Sequence, residues 1–440
     1  MSKILWCLFL LTVVINSKIA AQNDSLDFIK ASEYFHEAKV LSDNDNGKLW
    51  GIKIYSPILF ANPQTHTIIA SEQDSAGFLQ KKGNVYYGQL PYEINIANTY
   101  LNWSGTKWTM LVWPLPENKL QRKILLMHEL FHRVQEKLNL PLNNPTNSHL
   151  DMKEGRILFR MEWKELISAL QAKGDDRTSH IKNAVLLNKY RKEVFPGADT
   201  LESQLELNEG LAEYTGYKLS GEPEDSIISF WAKRIKLGEK IPSFVRSFAY
   251  ITSPMYCFLL DYSGKNWREK ISEVKSLPNL LAKSYSIKFK KDVKDEALSF
   301  LTSNADAEIM NFEAAREKKM DERLKAYKDK FFHKPVIIFK LENMNVQFDP
   351  RNLTPIDSIG TVYPNIRISD NWGILTVTNE AFMASDWKSI MVSLPDNFSY
   401  TAGSSTVTSN DWKLEIKKGW ALKPIARKDC YTVAREEVKQ

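Results

Sequence analysis

The run HELFH at residues 128–132 constrains this chain more than any other stretch, because it places an HExxH pattern in apolar surroundings. In a helix, His128 and His132 project from one face, where two imidazoles can hold one metal ion. Glu129 then lies one step around the helix, beside the metal position. The apolar neighbours predict a buried helix, and a buried carboxylate needs a partner, which a metal site provides. A surface helix with two incidental histidines is the alternative.

The residues around this pattern predict a helix from about 117 to 139. The stretch contains no Gly or Pro, and Pro141 marks its end. Asn118 suits the start of the helix, and the acidic Glu117 lies near the positive end of the helix dipole.

A catalytic zinc site usually has three protein ligands and one open position, so a third ligand is expected. Gln135 and Leu138 stand where a metzincin would continue with Gly and His, which excludes that subclass. Downstream, the run NEGLAEY at 208–214 resembles the second zinc motif of the gluzincins, the group of thermolysin and aminopeptidase N. The resemblance implies that Glu209 is the third ligand and that Glu213 holds a ligand histidine in its tautomer. Four other residues stay open as third ligands: Glu206, Glu202, Asp151 and His149.

Glu209 follows His132 by 77 residues, farther than in the commoner gluzincins, so an insertion must leave the site and return. Its pattern predicts helices over 153–172 and 179–195. Glu162 interrupts an apolar row of the first of these helices. We expect it to be a core acid paired with an arginine rather than a site residue. The candidate partners are Arg156, Arg160 and Arg191.

The segment 247–261 is similar to a stretch of the aminopeptidase-like gluzincins, in which a Tyr precedes a short small-residue turn and an apolar helix. The resemblance implies that Tyr250 stabilises the oxyanion formed during hydrolysis. Ser253 and Pro254 stand where the family has a turn containing Gly. Tyr256 is the alternative residue, although its apolar surroundings favour core packing.

Residues 1–21 read as a signal peptide, because Lys3 precedes a short apolar run and small residues follow it. We therefore expect an exported, periplasmic or extracellular protein with no lipid anchor and no membrane span. The remaining cysteines are Cys257 and Cys430, and their pairing stays open. The net charge of +6 is not gathered in a basic block beside aromatic residues, so nucleic acid is not an expected partner.

The predicted fold class is α+β: a zincin-like domain, in which an N-terminal β-sheet precedes a mainly α-helical part, and an all-β sandwich-like domain after it. The first part covers 22–115, the helical catalytic part 116–334 and the sandwich 335–440. The expected elements are a helix over 22–46, a charged helix over 307–334, and strands over 51–60, 67–70, 85–88, 93–97, 108–113, 336–348, 360–368, 373–377, 389–394 and 412–416. By resemblance, strand 108–113 borders the cleft and pairs with substrate; an ordinary sheet strand is the alternative.

The expected function is that of a secreted zinc metallopeptidase acting on a peptide or protein. One Zn²⁺ would be held by His128, His132 and Glu209, with Glu129 as general base and Tyr250 at the oxyanion. Relatives of aminopeptidase N hold the free amine of a substrate with a Gly-Ala-Met-Glu-Asn run. This chain has no such run, so the resemblance gives exopeptidase activity no support. The alternatives are a non-catalytic zincin-like binding protein and a zinc hydrolase of another amide or ester. The intact Glu129 argues against a pure binding protein.

Overall fold

The computed structural model describes residues 27–238, 241, 243–348, 353–395 and 397–436. It is mixed α/β and divides into two compact units, which we call unit 1 (up to residue 310) and unit 2 (from residue 311). The strands of unit 1 are β1 (Ile58–Ala61), β2 (Thr67–Ala70), β3 (Gln80–Lys82), β4 (Val85–Gln89), β5 (Thr99–Trp103) and β6 (Thr106–Val112). The helices are α1 (Phe28–Asp45), α2 (Lys119–His132), α3 (Lys153–Gln171), α4 (Gly174–Val194), α5 (Ala198–Leu205), α6 (Leu211–Leu219), α7 (Glu224–Gly238), α8 (Ala249–Tyr262), α9 (Leu277–Ser284), α10 (Lys294–Ser303) and α11 (Ala307–Lys328).

The sheet of unit 1 has the strand order β3-β4-β2-β1-β6-β5, in which only the β1–β6 pair is parallel. Side chains alternate between its faces, as a pleated sheet requires. Phe60 and Leu111 join the large core shared with the helices, whereas Leu59 and Trp108 belong to a smaller core on the opposite face. The sheet thus forms one wall of the core that also contains α2.

Strand β6 covers most of the segment that we expected to border a substrate cleft. It pairs with β1 on one side and with β5 on the other. Its hydrogen-bonding edges are therefore used over most of its length, and it is an internal sheet strand, the alternative given above, rather than the expected partner of a substrate. The edge strand next to it is β5, which the sequence analysis missed. Ser104 and Gly105, both with positive φ, form the turn that folds β5 back onto β6.

Helix α2 begins as predicted and ends earlier. The side chain of Asn118 accepts a hydrogen bond from the backbone N–H of Gln121, which caps the helix start. The α-helix stops at His132, and the chain continues as a 3-10 segment over Gln135–Leu138. The tighter turn brings the Gln135 side chain back to the His132 ring.

The insertion between the HELFH and NEGLAEY runs folds as the expected helix pair. Helix α3 spans Lys153–Gln171, and α4 starts at Gly174, ahead of the predicted residue 179. Of the other predicted elements in unit 1, α1 and β2 are confirmed, β1 is shorter than expected, and 93–97 contains no strand. Residues 1–26 lie outside the described part of the chain, and with them the predicted signal peptide.

The segment that carries Glu209 is a π-helical turn, Glu206–Gly210, inserted between α5 and α6. Such turns are uncommon and occur often at functional sites. Two glycines let this helix approach its neighbours closely. A Cβ on Gly210 would lie 2.1 Å from Ser253 Oγ of α8, and one on Gly216 would lie 2.7 Å from the Ile124 carbonyl oxygen of α2. The segment that carries Glu209 and the helix that follows it are therefore packed tightly against α8 and α2.

Helix α8 runs without a break from Ala249 to Tyr262, with Pro254 inside it. No turn interrupts the helix at Ser253 and Pro254, so this chain departs here from the family that it resembles. Proline lacks an N–H and leaves the carbonyl of Tyr250 without its helical partner, but the helix is buried from Ala249 to Leu260 and its packing stabilises it. Cys257, on the same helix, is buried with a free thiol, and Cys430 of unit 2 is also buried and free.

Unit 2 consists of two mostly antiparallel sheets that share one apolar core, in which Phe339 and Ile390 of one sheet join Ile368 and Leu414 of the other. The strand orders are β17-β18-β7-β14-β13-β10-β9 and β15-β16-β12-β11-β8. The strands are β7 (Val336–Lys340), β8 (Asn345–Phe348), β9 (Thr354–Ile356), β10 (Gly360–Tyr363), β11 (Ile366–Asp370), β12 (Gly373–Val377), β13 (Ala381–Ala384), β14 (Ser389–Ser393), β15 (Thr406–Thr408), β16 (Trp412–Ile416), β17 (Trp420–Pro424) and β18 (Tyr431–Arg435).

Most of helix α11 belongs to unit 2, whereas the sequence analysis placed the boundary after residue 334. The reason is apolar packing at the end of this helix, where Tyr327 and Phe331 form a core cluster with Val336 and Phe382. Within the described residues, no helix is both long and apolar enough to cross a bilayer.

Candidate metal centre

Three predicted ligands meet at one point of unit 1. His128 and His132 come from the last turn of α2, and Glu209 comes from the π-helical turn. The Nε2 atoms of the two histidines are 3.0 Å apart. Glu209 Oε2 lies 3.5 Å from each of them. The HExxH spacing brings the histidines together, and the fold returns the chain to them after the long insertion.

The dimensions of this triangle suit a zinc ion. Zinc binds nitrogen and oxygen ligands at about 2.0–2.2 Å, so two ligand atoms of a tetrahedral site lie about 3.3–3.5 Å apart. The three observed separations, 3.0, 3.5 and 3.5 Å, are close to that range. Among the described residues, this is the one cluster of at least three His, Cys, Asp or Glu side chains with ligand atoms this close together.

Both histidines present a bare Nε2 to this point when their Nδ1 carries the proton. His128 Nδ1 lies 3.1 Å from Glu213 Oε2, and a carboxylate can only accept. The other oxygen of Glu213 accepts from Arg234 at 3.1 Å. Glu213 thus contacts a histidine of the HELFH run, as the resemblance implied, and it orients the ring of His128. With the tautomer of His132 set likewise by Gln135, two lone pairs and a carboxylate oxygen are placed so that one cation could bind all three.

The charges around the site also call for a cation. Burial would raise the pKa of Glu209, but its hydrogen bonds with the two histidines outweigh burial and hold this pKa below its usual range. Burial lowers the pKa of His128, yet hydrogen bonds with Glu209 and Glu213 raise it to about 10. The raised pKa of His128 reflects a surplus of negative charge, because the buried Glu209 and Glu213 face one partly buried arginine, Arg234. A divalent ion would balance this surplus.

Glu129 is a buried carboxylate beside the two histidines that has no hydrogen-bond partner in the described part of the chain. Its side chain is 1% exposed, and neither carboxylate oxygen has a hydrogen-bond partner among the described residues. Burial raises its pKa above the ordinary value, although the charges of His128 and His132 oppose that rise. A carboxylate that is buried beside a metal position and left without a partner is suited to accept a proton there.

Tyr250 lies in the site, where its ring stacks on that of His128 with centroids 5.7 Å apart. Its hydroxyl donates a hydrogen bond to Glu209 Oε2 at 2.7 Å. Burial, followed by the nearby charge of Glu209, raises its pKa well above the ordinary value, so the hydroxyl keeps its proton and stays a donor. The structure therefore brings Tyr250 to the carboxylate of Glu209, where its hydroxyl is a hydrogen-bond donor.

The alternative site residues belong to a separate buried network centred on Arg191. Its guanidinium donates to both oxygens of Glu202, at 2.8 and 2.7 Å, and also to Glu162. This pairing confirms the prediction that Glu162 is a core acid. Tyr256 donates to Glu162 at 2.7 Å, and His149 Nε2 lies 2.7 Å from Glu202. These residues are thus engaged with each other rather than with the ligand triangle.

Two further alternatives also lie apart from the triangle. Asp151 Oδ1 is 3.4 Å from Arg156 and accepts a hydrogen bond from the backbone N–H of Phe244 at 2.8 Å. Glu206 is fully buried, and within the described structure its two oxygens have no hydrogen-bond partner. Burial raises its pKa to about 8, which describes a carboxylic acid rather than a metal ligand.

The sequence analysis missed two residues that contact the predicted site residues His132 and Glu213. Gln135 contacts His132 and was noted only for excluding a metzincin. Arg234 pairs with Glu213 from helix α7, far along the chain. The spacing of Gln135, three residues after His132, was the one available signal, because residues three apart on a helix are neighbours. No local signal marks Arg234.

Solvent reaches the site on one side. The His132 side chain is 12% exposed, whereas those of His128 and Glu209 are 1% exposed. Arg133 follows His132 and donates to the carbonyl of Lys107 at 3.4 Å, at the β5–β6 hairpin. The exposed side of the triangle therefore lies next to the edge of the sheet.

Comparison of the chain with protein-family models, with curated proteins and with solved structures finds no match.

Proposed function

We propose that this protein is a zinc-dependent peptidase with a zincin-like catalytic domain of the gluzincin kind. His128, His132 and Glu209 would hold one Zn²⁺. The observation that carries the proposal is the triangle of ligand atoms with edges of 3.0, 3.5 and 3.5 Å, formed by two predicted motifs 77 residues apart. A chance HExxH helix would not be expected to meet the Glu of a second zinc motif at this distance.

A bound zinc ion would supply Lewis acidity, which polarises a carbonyl group and makes a nucleophilic water available near neutral pH. Glu129 would take the proton of the attacking water and pass it to the leaving amine. Its buried, unpartnered oxygens support this role together with its place beside the two histidines, whose charges act on it. Glu213 would hold the tautomer of His128, as its 3.1 Å contact with Nδ1 indicates.

Tyr250 would donate its hydroxyl to the oxyanion that develops on the substrate carbonyl. Its raised pKa supports the role of donor, since the hydroxyl stays protonated across the working pH range. The hydroxyl is already held beside Glu209 at 2.7 Å, so a small rotation would redirect it towards a neighbouring atom.

The substrate would approach over His132 and lie along the edge strand β5. Unlike β6, β5 has a neighbouring strand on one side only, so it can pair with an extended peptide by β-augmentation. The contact between Arg133 and Lys107 supports this direction of approach, because it joins the end of α2 to the β5–β6 hairpin.

Export after removal of residues 1–21 is part of the same proposal.

The test combines zinc analysis with a matched pair of variants, Glu129→Gln and Glu136→Gln. Glu136 is exposed on the segment that follows α2, so it controls for the loss of one negative charge there. We expect the wild type to bind one zinc per chain and to cleave members of a peptide library. Glu129→Gln should keep zinc and lose about 10²–10⁴-fold in rate, and Glu136→Gln should behave as the wild type. A protein that binds no zinc, or an active Glu129→Gln variant, would contradict the proposal.

A further inference from the structure

Gln135 makes two hydrogen bonds that join separate parts of the site. Its side chain is completely buried. The amide oxygen Oε1 lies 2.5 Å from His132 Nδ1, and the amide nitrogen Nε2 donates to the backbone carbonyl of Asn208 at 2.8 Å. Asn208 directly precedes Glu209. One side chain thus contacts the second histidine and the backbone next to the third proposed ligand.

The direction of the amide follows from its partners. A backbone carbonyl can only accept, so the NH₂ group of Gln135 must face Asn208. The oxygen then faces His132, and it is satisfied only if His132 Nδ1 carries the proton. In that tautomer Nε2 has a free lone pair, and this atom faces His128 and Glu209 at 3.0 and 3.5 Å.

We propose that Gln135 is a positioning residue that fixes His132 as its Nδ1–H tautomer and couples its orientation to the π-helical turn that carries Glu209. The inference rests on the proposed function for its catalytic meaning, but its tautomer claim holds for the metal-free protein as well. It extends the site beyond the residues implied by the gluzincin resemblance.

The two histidines are supported by different chemistry. Glu213, a carboxylate neutralised by Arg234, supports His128, whereas a neutral amide supports His132. Asn208, beside Glu209, is not the residue that contacts His132. Its own side chain donates to the Asn143 carbonyl at 3.3 Å and to Asn144 Oδ1 at 3.1 Å.

A glutamate in place of Gln135 could perform only half of this task. A carboxylate would still accept from His132 Nδ1, but it has no N–H to give to the Asn208 carbonyl. It would also add negative charge to a site that already contains three buried carboxylates, those of Glu129, Glu209 and Glu213. The amide is therefore the group that satisfies both partners without adding charge.

The experiment compares Gln135→Met, Gln135→Glu and the control Gln121→Met. Methionine has a similar length without hydrogen-bonding groups, and Gln121 is a partly exposed residue near the start of α2. Long-range ¹H–¹⁵N spectra of the metal-free proteins report the protonated nitrogen of His132. We expect Nδ1–H in the wild type, in Gln121→Met and in Gln135→Glu, and a mixture of tautomers in Gln135→Met.

Zinc affinity, measured by competition with a chromogenic chelator, is the second readout. We expect a loss of about 10–100-fold for Gln135→Met, as for other residues that orient metal ligands. Gln121→Met should match the wild type, and circular dichroism checks that each variant folds. Nε2–H at His132 in the wild type, or an unchanged tautomer in a folded Gln135→Met, would overturn the inference. A wild type that binds zinc with the expected tautomer but hydrolyses nothing would refute the peptidase proposal alone.

Discussion

Glu206 gives the sharpest test of the structure, because its fully buried carboxyl group has no hydrogen-bond partner within the described residues. Burial is the main cause that raises its pKa from an ordinary value of 4.5 to about 8. The charges of Glu202 and Glu162 add to this rise, and those of Lys192 and Arg191 oppose it. The group is therefore expected to be neutral in the folded protein at neutral pH.

The sign of its effect on stability follows from this shift. Below the ordinary pKa the carboxyl is neutral in both the folded and the unfolded states. As the pH rises from 4.5 towards 8, the unfolded state releases the proton and the folded state does not, so stability is lost. Above the folded pKa the loss is complete. Between about pH 5 and about pH 9, the expected loss from this group is about 4 kcal/mol.

The variant Glu206→Gln removes this titration and leaves a neutral side chain of the same length. Urea unfolding followed by far-ultraviolet circular dichroism reports mainly on unit 1, where ten of the eleven described α-helices begin and end. The free energy of unfolding of the variant, relative to that of the wild type, should rise by about 4 kcal/mol between about pH 5 and about pH 9.

Asp199→Asn, an exposed change at the start of α5, is the control and should show no comparable pH-dependent difference. Other titrating groups are common to all three proteins and cancel in the comparison. If the relative stability of Glu206→Gln changes by less than about 1 kcal/mol across this range, Glu206 ionises in the folded state with little penalty. The argument from burial without a partner would then be wrong.

Three further predictions concern other parts of unit 1. Tyr250→Phe should retain zinc and lose about 10²–10³-fold in kcat; steady-state kinetics with kcat unchanged would remove Tyr250 from the proposed oxyanion site. Gly216→Ala should destabilise the protein by about 1–3 kcal/mol in urea unfolding, because its methyl group would lie 2.7 Å from the Ile124 carbonyl oxygen; wild-type stability would contradict that close approach. Arg191→Met should cost about 3–5 kcal/mol in the same measurement, since it leaves the buried Glu162 and Glu202 without their cation; a cost below about 1 kcal/mol would mean that the pair is solvated.

The parts of the site that could be predicted are those in which chemistry follows from local spacing. His128, Glu129 and His132 occupy one helical stretch, so their mutual arrangement depends only on the geometry of α2. The pairing of Glu162 with an arginine was also predictable, because a carboxylate in an apolar row requires a cation. The choice of Arg191 among three arginines was not, since α4 had first to be docked beside α3.

Other features depend on contacts between segments far apart in the sequence. The expected cleft strand proved to be internal because β5 pairs with it, and short strands carry little signal of their own. The π-helical turn at Glu206–Gly210 follows no residue pattern that we could identify. Helix α8 continues through Ser253 and Pro254, because apolar packing of its buried part outweighs the helix-breaking tendency of Pro254.

The HELFH run by itself determined which groups can act: two imidazoles on one helical face and a carboxylate beside them. It did so because an α-helix repeats every few residues and needs no distant partner to set that spacing. Only the tertiary structure decided which of several acids meets the histidines. Glu209 lies 3.5 Å from both of them. Glu202 instead accepts hydrogen bonds from Arg191, and the buried oxygens of Glu206 have no hydrogen-bond partner within the described residues. That selection requires the close approach of α6 to α2 at Gly216 and the bridge through Gln135, which exist only once the chain has folded.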